Sequence, residues 1–261
     1  MTSVFQPPDA RPLGLAGIMS TALAMYRARP GSLLLIGVIT TLPVAVLGMV
    51  SELAYGVPQG RWPTLARSLA IAIPTVLLAQ VGVAAATVLA MNLLHRRPAS
   101  ASTALELVGV RFWPLAAVVA VMLLGVFGGA VALIIPALIL MTIWLFAPSV
   151  AVVEGRGVRD ALRRSMRLTN GAFWWTLGSY IVLQLTVAVV GVAVVRLAGM
   201  PLSGLAGSAG TVANGAVQAV VSAIVQPVAV LTPALMYLDR RVRAEGAWPL
   251  PGPVLVENPP V

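Results

Sequence analysis

The chain contains no cysteine, no lysine and a single histidine, His95. Without cysteine there are no disulfides, no thiol catalysis and no cysteine-held metal. One histidine and eight scattered carboxylates leave no converging set of groups for acid–base or metal-assisted chemistry. The expectation is therefore a non-enzyme that needs no cofactor. Charge of either sign is scarce too: Asp, Glu, Lys and Arg make up 10% of the chain, where a soluble domain carries roughly 25%. Residues 1–9 show no basic region, apolar core or small-residue cleavage pattern of a signal peptide. Membrane insertion is expected to rely on internal segments.

What fills the space is apolar. Hydrophobic residues account for 59% of 261 positions, and the mean hydropathy is +0.96. Six stretches are long enough to cross a hydrocarbon core ~30 Å thick: 32–53, 65–94, 112–128, 130–150, 172–195 and 211–238. The second and sixth overshoot that thickness at ~1.5 Å per residue, so they should tilt, kink or emerge. Gly128-Gly129 is read as the tight turn between the third and fourth.

The 17 arginines are sorted by side. Segments 1–31, 95–111, 152–171 and 239–261 hold fourteen of them, and the opposite side keeps Arg61, Arg67 and Arg196. By the positive-inside rule both termini are cytoplasmic, and the localisation expected is the bacterial cytoplasmic membrane, multi-pass. Arginines so strictly confined beside apolar spans point to lipid as the partner, not nucleic acid.

A repeat underlies this order. Segments 13–29, 100–111 and 157–170 are each helix-patterned, arginine-bearing and followed by an apolar hairpin, giving units of about 11–95, 97–153 and 156–240. In the first, Leu15, Ile18, Met19, Ala22, Met25 and Tyr26 follow helical spacing. In the second, Thr103 and Glu106 suggest a capping box. In the third, Val158, Ala161, Leu162, Ser165 and Thr169 form one stripe and Arg159, Arg163 and Arg167 another, before Asn170-Gly171 supplies a left-handed C-terminus. The fold expected is all-α: six transmembrane helices with three cytoplasmic amphipathic surface helices in a single domain over 11–246. Residues 1–10 and the proline-rich 247–261 are expected to be disordered. Such surface helices lie at headgroup level, where each arginine is attracted to anionic phospholipid by ~1 kcal/mol.

Two stretches carry a resemblance: Val153-Glu-Gly-Arg-Gly-Val-Arg-Asp-Ala-Leu-Arg-Arg-Ser-Met-Arg-Leu-Thr-Asn-Gly-Ala-Phe-Trp-Trp175, with Ile135-Pro136 before it, and Tyr237-Leu-Asp-Arg-Arg-Val-Arg-Ala-Glu-Gly246. With Arg11-Pro-Leu-Gly and Tyr26-Arg-Ala-Arg-Pro-Gly31 they resemble the glycerophosphoryl diester phosphodiesterase membrane-domain family, over most of 11–246. The resemblance implies an all-helical membrane domain of the stand-alone bacterial kind. It does not carry the hydrolase, whose paired histidines and metal-holding carboxylates have no counterpart here.

Three sets of candidate residues follow. Arg159, Arg163, Arg164, Arg167, Arg240, Arg241 and Arg243 are candidates for lipid headgroups. Asp239 and Glu245 are expected to clamp the last repeat against Arg163, Arg164 or Arg167, with Glu154 as a second acidic partner; solvated headgroup-level charges are the alternative. Asn214, Gln218, Ser222 and Gln226 recur every fourth residue as an intramembrane polar seam, with Gln226 near mid-membrane and Gln80 and Gln184 facing it. The seam is either interhelical hydrogen bonding or the lining of a groove. Pro43, Pro74, Pro136, Pro227 and Pro233 interrupt the spans, and broken helices line sites in transporters. No span holds an ionisable residue near its middle; Glu52, Arg67 and Arg196 sit near outer ends. Trp174 and Trp175 suit an interfacial belt. The function expected is a scaffold or accessory factor contacting anionic lipid, in lipid or envelope homeostasis; the alternative is a transporter or permease subunit for a small or lipid-like substrate. A protein partner or a homo-oligomer remains open.

Overall fold

The computed structural model describes residues 14–55, 60–95, 97, 100–132, 134–202 and 207–245. Arg11, Arg96 and the two ends expected to be disordered lie outside them. The described residues form ten α-helices and no strand: α1 (Leu15–Ala28), α2 (Pro30–Tyr55), α3 (Arg61–Leu94), α4 (Ala101–Val110), α5 (Phe112–Ala132), α6 (Ile134–Ile143), α7 (Ala147–Val153), α8 (Val158–Thr169), α9 (Phe173–Gly199) and α10 (Gly207–Glu245). Six helical stretches are long and apolar enough to cross a membrane; the fourth, Ile134–Val153, joins α6 to α7. The protein is an all-α, multi-pass membrane protein. Each of α1, α4 and α8 is a short helix placed before a pair of long ones.

The bundle has two layers. Exposed large apolar side chains fall at 35–53 on α2, 62–73 on α3, 121–127 on α5, 134–139 on α6, 181–197 on α9 and 212–224 on α10. On α2 that is about 27 Å of helix at ~1.5 Å per residue, close to the ~30 Å of a hydrocarbon core. Beyond it, toward the arginine-rich end, residues 81–92 of α3, all of α7 and 230–239 of α10 are buried in protein. The overlong α3 and α10 are thus explained: their last thirds leave the apolar belt and become the core of a packed layer. Trp113 and Trp174 at this end and Trp62 at the other are 79%, 80% and 78% exposed, as aromatic belts require.

The short helices build that layer. Ile18, Ala22 and Met25 of α1, Ala104, Leu107 and Val108 of α4, and Ala161, Ser165 and Leu168 of α8 are buried. Their apolar stripes pack on protein, not on acyl chains, while Arg159, Arg163 and Arg167 stay exposed. Two local expectations change. The cap of α4 is Ser100, whose Oγ accepts Thr103 N–H at 3.2 Å, one turn before the expected box. Gly128-Gly129 is not a turn but part of α5. A Cβ on Gly129 would meet the Ala137 nitrogen at 3.0 Å, so the glycine lets α6 pack against α5 at backbone distance.

The break between α6 and α7 is stapled by α8. Ser165 Oγ donates to the Ile143 carbonyl at 2.8 Å and accepts the Phe146 N–H at 3.1 Å, partnering two backbone groups that an unbroken helix would have paired internally. Ser165→Ala leaves both groups unpaired at a fully buried position. It is expected to destabilise the purified protein by about 2 kcal/mol, measured by thermal unfolding in detergent. A change within a few tenths would show that the break does not depend on the hydroxyl.

Candidate functional site

Two constellations stand out, one in each layer. In the packed layer, Glu154 follows α7 directly and its side chain is only 8% exposed. It is surrounded by donors: Arg156 Nε at 2.7 Å, Tyr237 Oη at 3.0 Å and Arg164 Nε at 3.3 Å, with Arg241 Nε at 3.9 Å. Glu245 closes the ring, accepting from Arg164 Nη2 and from Arg241 Nε at 3.2 Å. Burial alone would push the Glu154 carboxyl up, but the Arg156 hydrogen bond, Arg164, Tyr237 and Arg241 together hold it below the usual carboxylate range. The node ties the segment between α7 and α8, and Arg164 in the middle of α8, to the end of α10.

Of the acidic residues expected here, Glu245 meets Arg164 and Glu154 becomes the centre. Asp239 instead accepts Arg243 Nε one turn on, at 2.8 Å. A neighbouring group that spacing does not show is Trp175, half-buried beneath Arg240 and Arg243, whose guanidinium carbons lie 5.4 and 5.5 Å from its ring centroid. Trp175 is thus an arginine platform, whereas Trp174 is exposed. Among the described residues, Arg159, Arg163 and Arg167 form no ion pair. Sequence also hides Tyr237, whose acidic partner lies 83 positions away, and Arg111, whose Nη1 donates to the Val152 carbonyl at 2.6 Å. Neither pairing has a local signal.

In the belt, α2, α3 and α10 enclose a cavity of about 790 Å³. It runs from Glu52, Arg67 and Gly210 at the end opposite the arginines down to Thr40 and Gln226, about 18 Å along α2. Glu52, Asn214 and Gln218 are exposed, so it opens to the surroundings. The whole seam, Asn214, Gln218, Ser222 and Gln226, lines it, joined by Thr40, Thr41 and Thr75. Exposed apolar positions on α10 end at Ile224. Gln226 therefore sits at the foot of the belt and Gln218 nearer its middle, a shift from the sequence expectation because α10 continues into the packed layer. A second hollow of about 350 Å³ on the α9 side shares Ser222 and Gln226 and includes Gln184. Gln184 is also 3.2 Å from Thr232 Oγ1. Gln80 is half-buried and lines neither cavity.

The prolines shape this floor. Pro227 has no N–H, which frees the Ala223 carbonyl, and α2 lies against that carbonyl at Gly37. Pro233 frees the Ala229 carbonyl in the same way, and Thr232 Oγ1 donates to it at 2.9 Å. Tyr26 of α1 adds a hydrogen bond to the Ile224 carbonyl at 3.1 Å. Below them the packed layer closes the cavity.

Among the described residues no three His, Cys, Asp or Glu side chains gather where a metal could be held. Compared with protein-family models, curated proteins and solved structures, the chain shows no match. The two segments 153–175 and 237–246 supply Glu154, Arg156, Arg164, Tyr237, Arg241 and Glu245 to the node.

Proposed function

We propose that the chain is a non-catalytic protein of the bacterial cytoplasmic membrane, with both termini cytoplasmic, that receives the polar part of a lipid-like molecule between α2, α3 and α10 and serves as a carrier or permease subunit for it. The observation that carries this reading is the 790 Å³ cavity inside an apolar belt, whose lining below the Glu52 and Arg67 mouth mixes apolar walls with uncharged amides and hydroxyls. Amides and hydroxyls facing hydrocarbon are costly unless a partner arrives. In this reading the positive-inside rule turns the mouth to the outer side and the closed floor toward the cytoplasm. The resemblance of segments 153–175 and 237–246 to the glycerophosphoryl diester phosphodiesterase membrane domains implies the same picture of a lipid-facing helical domain without hydrolase chemistry. The deciding experiment is purification in native-like lipid and mass spectrometry of what stays bound. A stoichiometric amphiphile is expected, and Ser222→Trp, which fills the cavity, should displace it; identical lipid content in both proteins would sink the proposal.

A second reading, an accessory scaffold in lipid or envelope homeostasis, is favoured by the exposed Arg159, Arg163 and Arg167, which form no ion pair among the described residues. They present a cationic stripe to anionic phospholipid at ~1 kcal/mol each. Changing all three to Gln should weaken flotation of the purified protein with phosphatidylglycerol vesicles by tenfold or more, on the order of 3 kcal/mol at most. Unchanged flotation assigns them to solvent.

A further inference from the structure

The hydrogen-bonding inventory of the cavity narrows what it can hold. Thr40, Thr41 and Thr75 donate their hydroxyl protons to the Ile36, Gly37 and Ile71 carbonyls of their own helices, at 2.8, 2.7 and 2.6 Å. Asn214 commits one amide N–H to the Gly210 carbonyl at 2.9 Å. The threonines therefore turn only oxygen lone pairs toward the cavity. Gln218, Ser222 and Gln226 have no hydrogen-bond partner among the described residues, so each offers both a donor and an acceptor. The ionisable lining residues, Glu52 and Arg67, are one of each sign and both stand at the mouth.

We infer that the cavity selects an uncharged, hydroxyl-rich head, a glycosyl or polyol group carried on a lipid, and leaves phosphate-headed lipids outside. A phosphate only accepts hydrogen bonds and brings negative charge. It can accept from Gln218, Ser222 and Gln226, but it leaves the three threonine oxygens without a donor and finds no cation at depth to offset its charge. An ammonium group satisfies the threonine oxygens but meets no carboxylate below the mouth, and an unpaired charge at this depth costs several kcal/mol. Hydroxyl groups donate to the threonines and accept from the glutamine amides, matching both halves of the inventory. The apolar walls, Val44, Ala45, Met49 and Ile71, suit the C–H faces of a sugar and the first methylenes of a chain. The volume lies inside the ~300–1,000 Å³ range of ligand pockets.

This inference rests on the proposed binding role, and the test separates the two. The full chain is placed in phosphatidylcholine nanodiscs doped with either a diglucosyl diacylglycerol or phosphatidylglycerol. The tagged protein is then extracted in mild detergent and its retained lipid is quantified by mass spectrometry. Wild type is expected to retain the glycosyl lipid above its doped fraction. Gln218→Leu with Gln226→Leu should cut that retention about tenfold, the equivalent of two neutral hydrogen bonds, while phosphatidylglycerol retention does not change. Ser222→Val, which narrows the cavity without touching the amides, gives the same loss and serves if the double variant does not purify. Retention of phosphatidylglycerol that falls in these variants overturns the head-group assignment but leaves the binding role standing. Retention of every lipid at its doped fraction in all proteins overturns both.

Discussion

Gly37→Ala is expected to lower the stability of the purified protein by about 3 kcal/mol, the upper part of the overpacking range. The new Cβ would be pressed into the Ala223 carbonyl and would lie 3.0 and 3.1 Å from two Pro227 ring carbons. A backbone oxygen and a proline ring cannot swing aside, so α2 and α10 must separate. The same helix supplies its own controls. Gly31 and Gly48 have nothing within 4 Å of an added Cβ, and alanine at either should be neutral or raise stability by up to about 1 kcal/mol through helix propensity. Thermal unfolding of the three variants in one detergent is the measurement. Equal shifts in all three would remove the close α2–α10 contact from the account. Because that contact forms part of the cavity floor, Gly37→Ala should also weaken retention of any bound amphiphile.

Glu154→Gln is expected to destabilise by about 3 kcal/mol, the lower part of the range for removing one partner of a buried ionic cluster. Arg164 and Arg241 would then share Glu245 alone, with Arg241 only 7% exposed. The pH dependence has a definite sign. The folded carboxyl lies below its ordinary value, held there against burial by Arg156, Arg164, Tyr237 and Arg241. Its contribution is therefore complete above the unfolded carboxylate pKa of about 4.3 and is lost as pH falls through the lower folded value. The stability gap between wild type and Glu154→Gln should stay level from neutral pH down to about 4.5 and narrow below it. A gap that already closes between pH 7 and 5 would mean the carboxyl is not held low. Adding Arg164→Gln to Glu154→Gln should cost less than the sum of the two single changes, because they share one network.

Much of the architecture was legible along the chain because lipid imposes a strong, local rule. Segments 13–29, 100–111 and 157–170 emerge as α1, α4 and α8 within a few residues, since amphipathic period and helix ends are written in neighbouring side chains. The four-residue spacing of Asn214, Gln218, Ser222 and Gln226 likewise forces them onto one face of α10 whatever surrounds it. Less was legible where a residue's role depends on a helix far away in sequence. Gly128-Gly129 reads as a turn until α6 is seen to pack on it, and the kink after Ile143 has its explanation in Ser165. Gln80 and Gln184 have the same chemistry as the seam, but only the course of α3 and α9 decides which of them borders a hollow.

By itself the sequence determined the class, the number of candidate spans and the gathering of most arginines beside one set of span ends, because hydrophobic length and charge partition between water and lipid residue by residue. Tertiary structure alone decided that the last thirds of α3 and α10 form a buried layer, that Glu154 gathers donors from α8 and α10, and that the polar seam faces a cavity instead of another helix. Those outcomes are set by which surfaces meet across the bundle, and a pattern read along one helix carries no record of its neighbour.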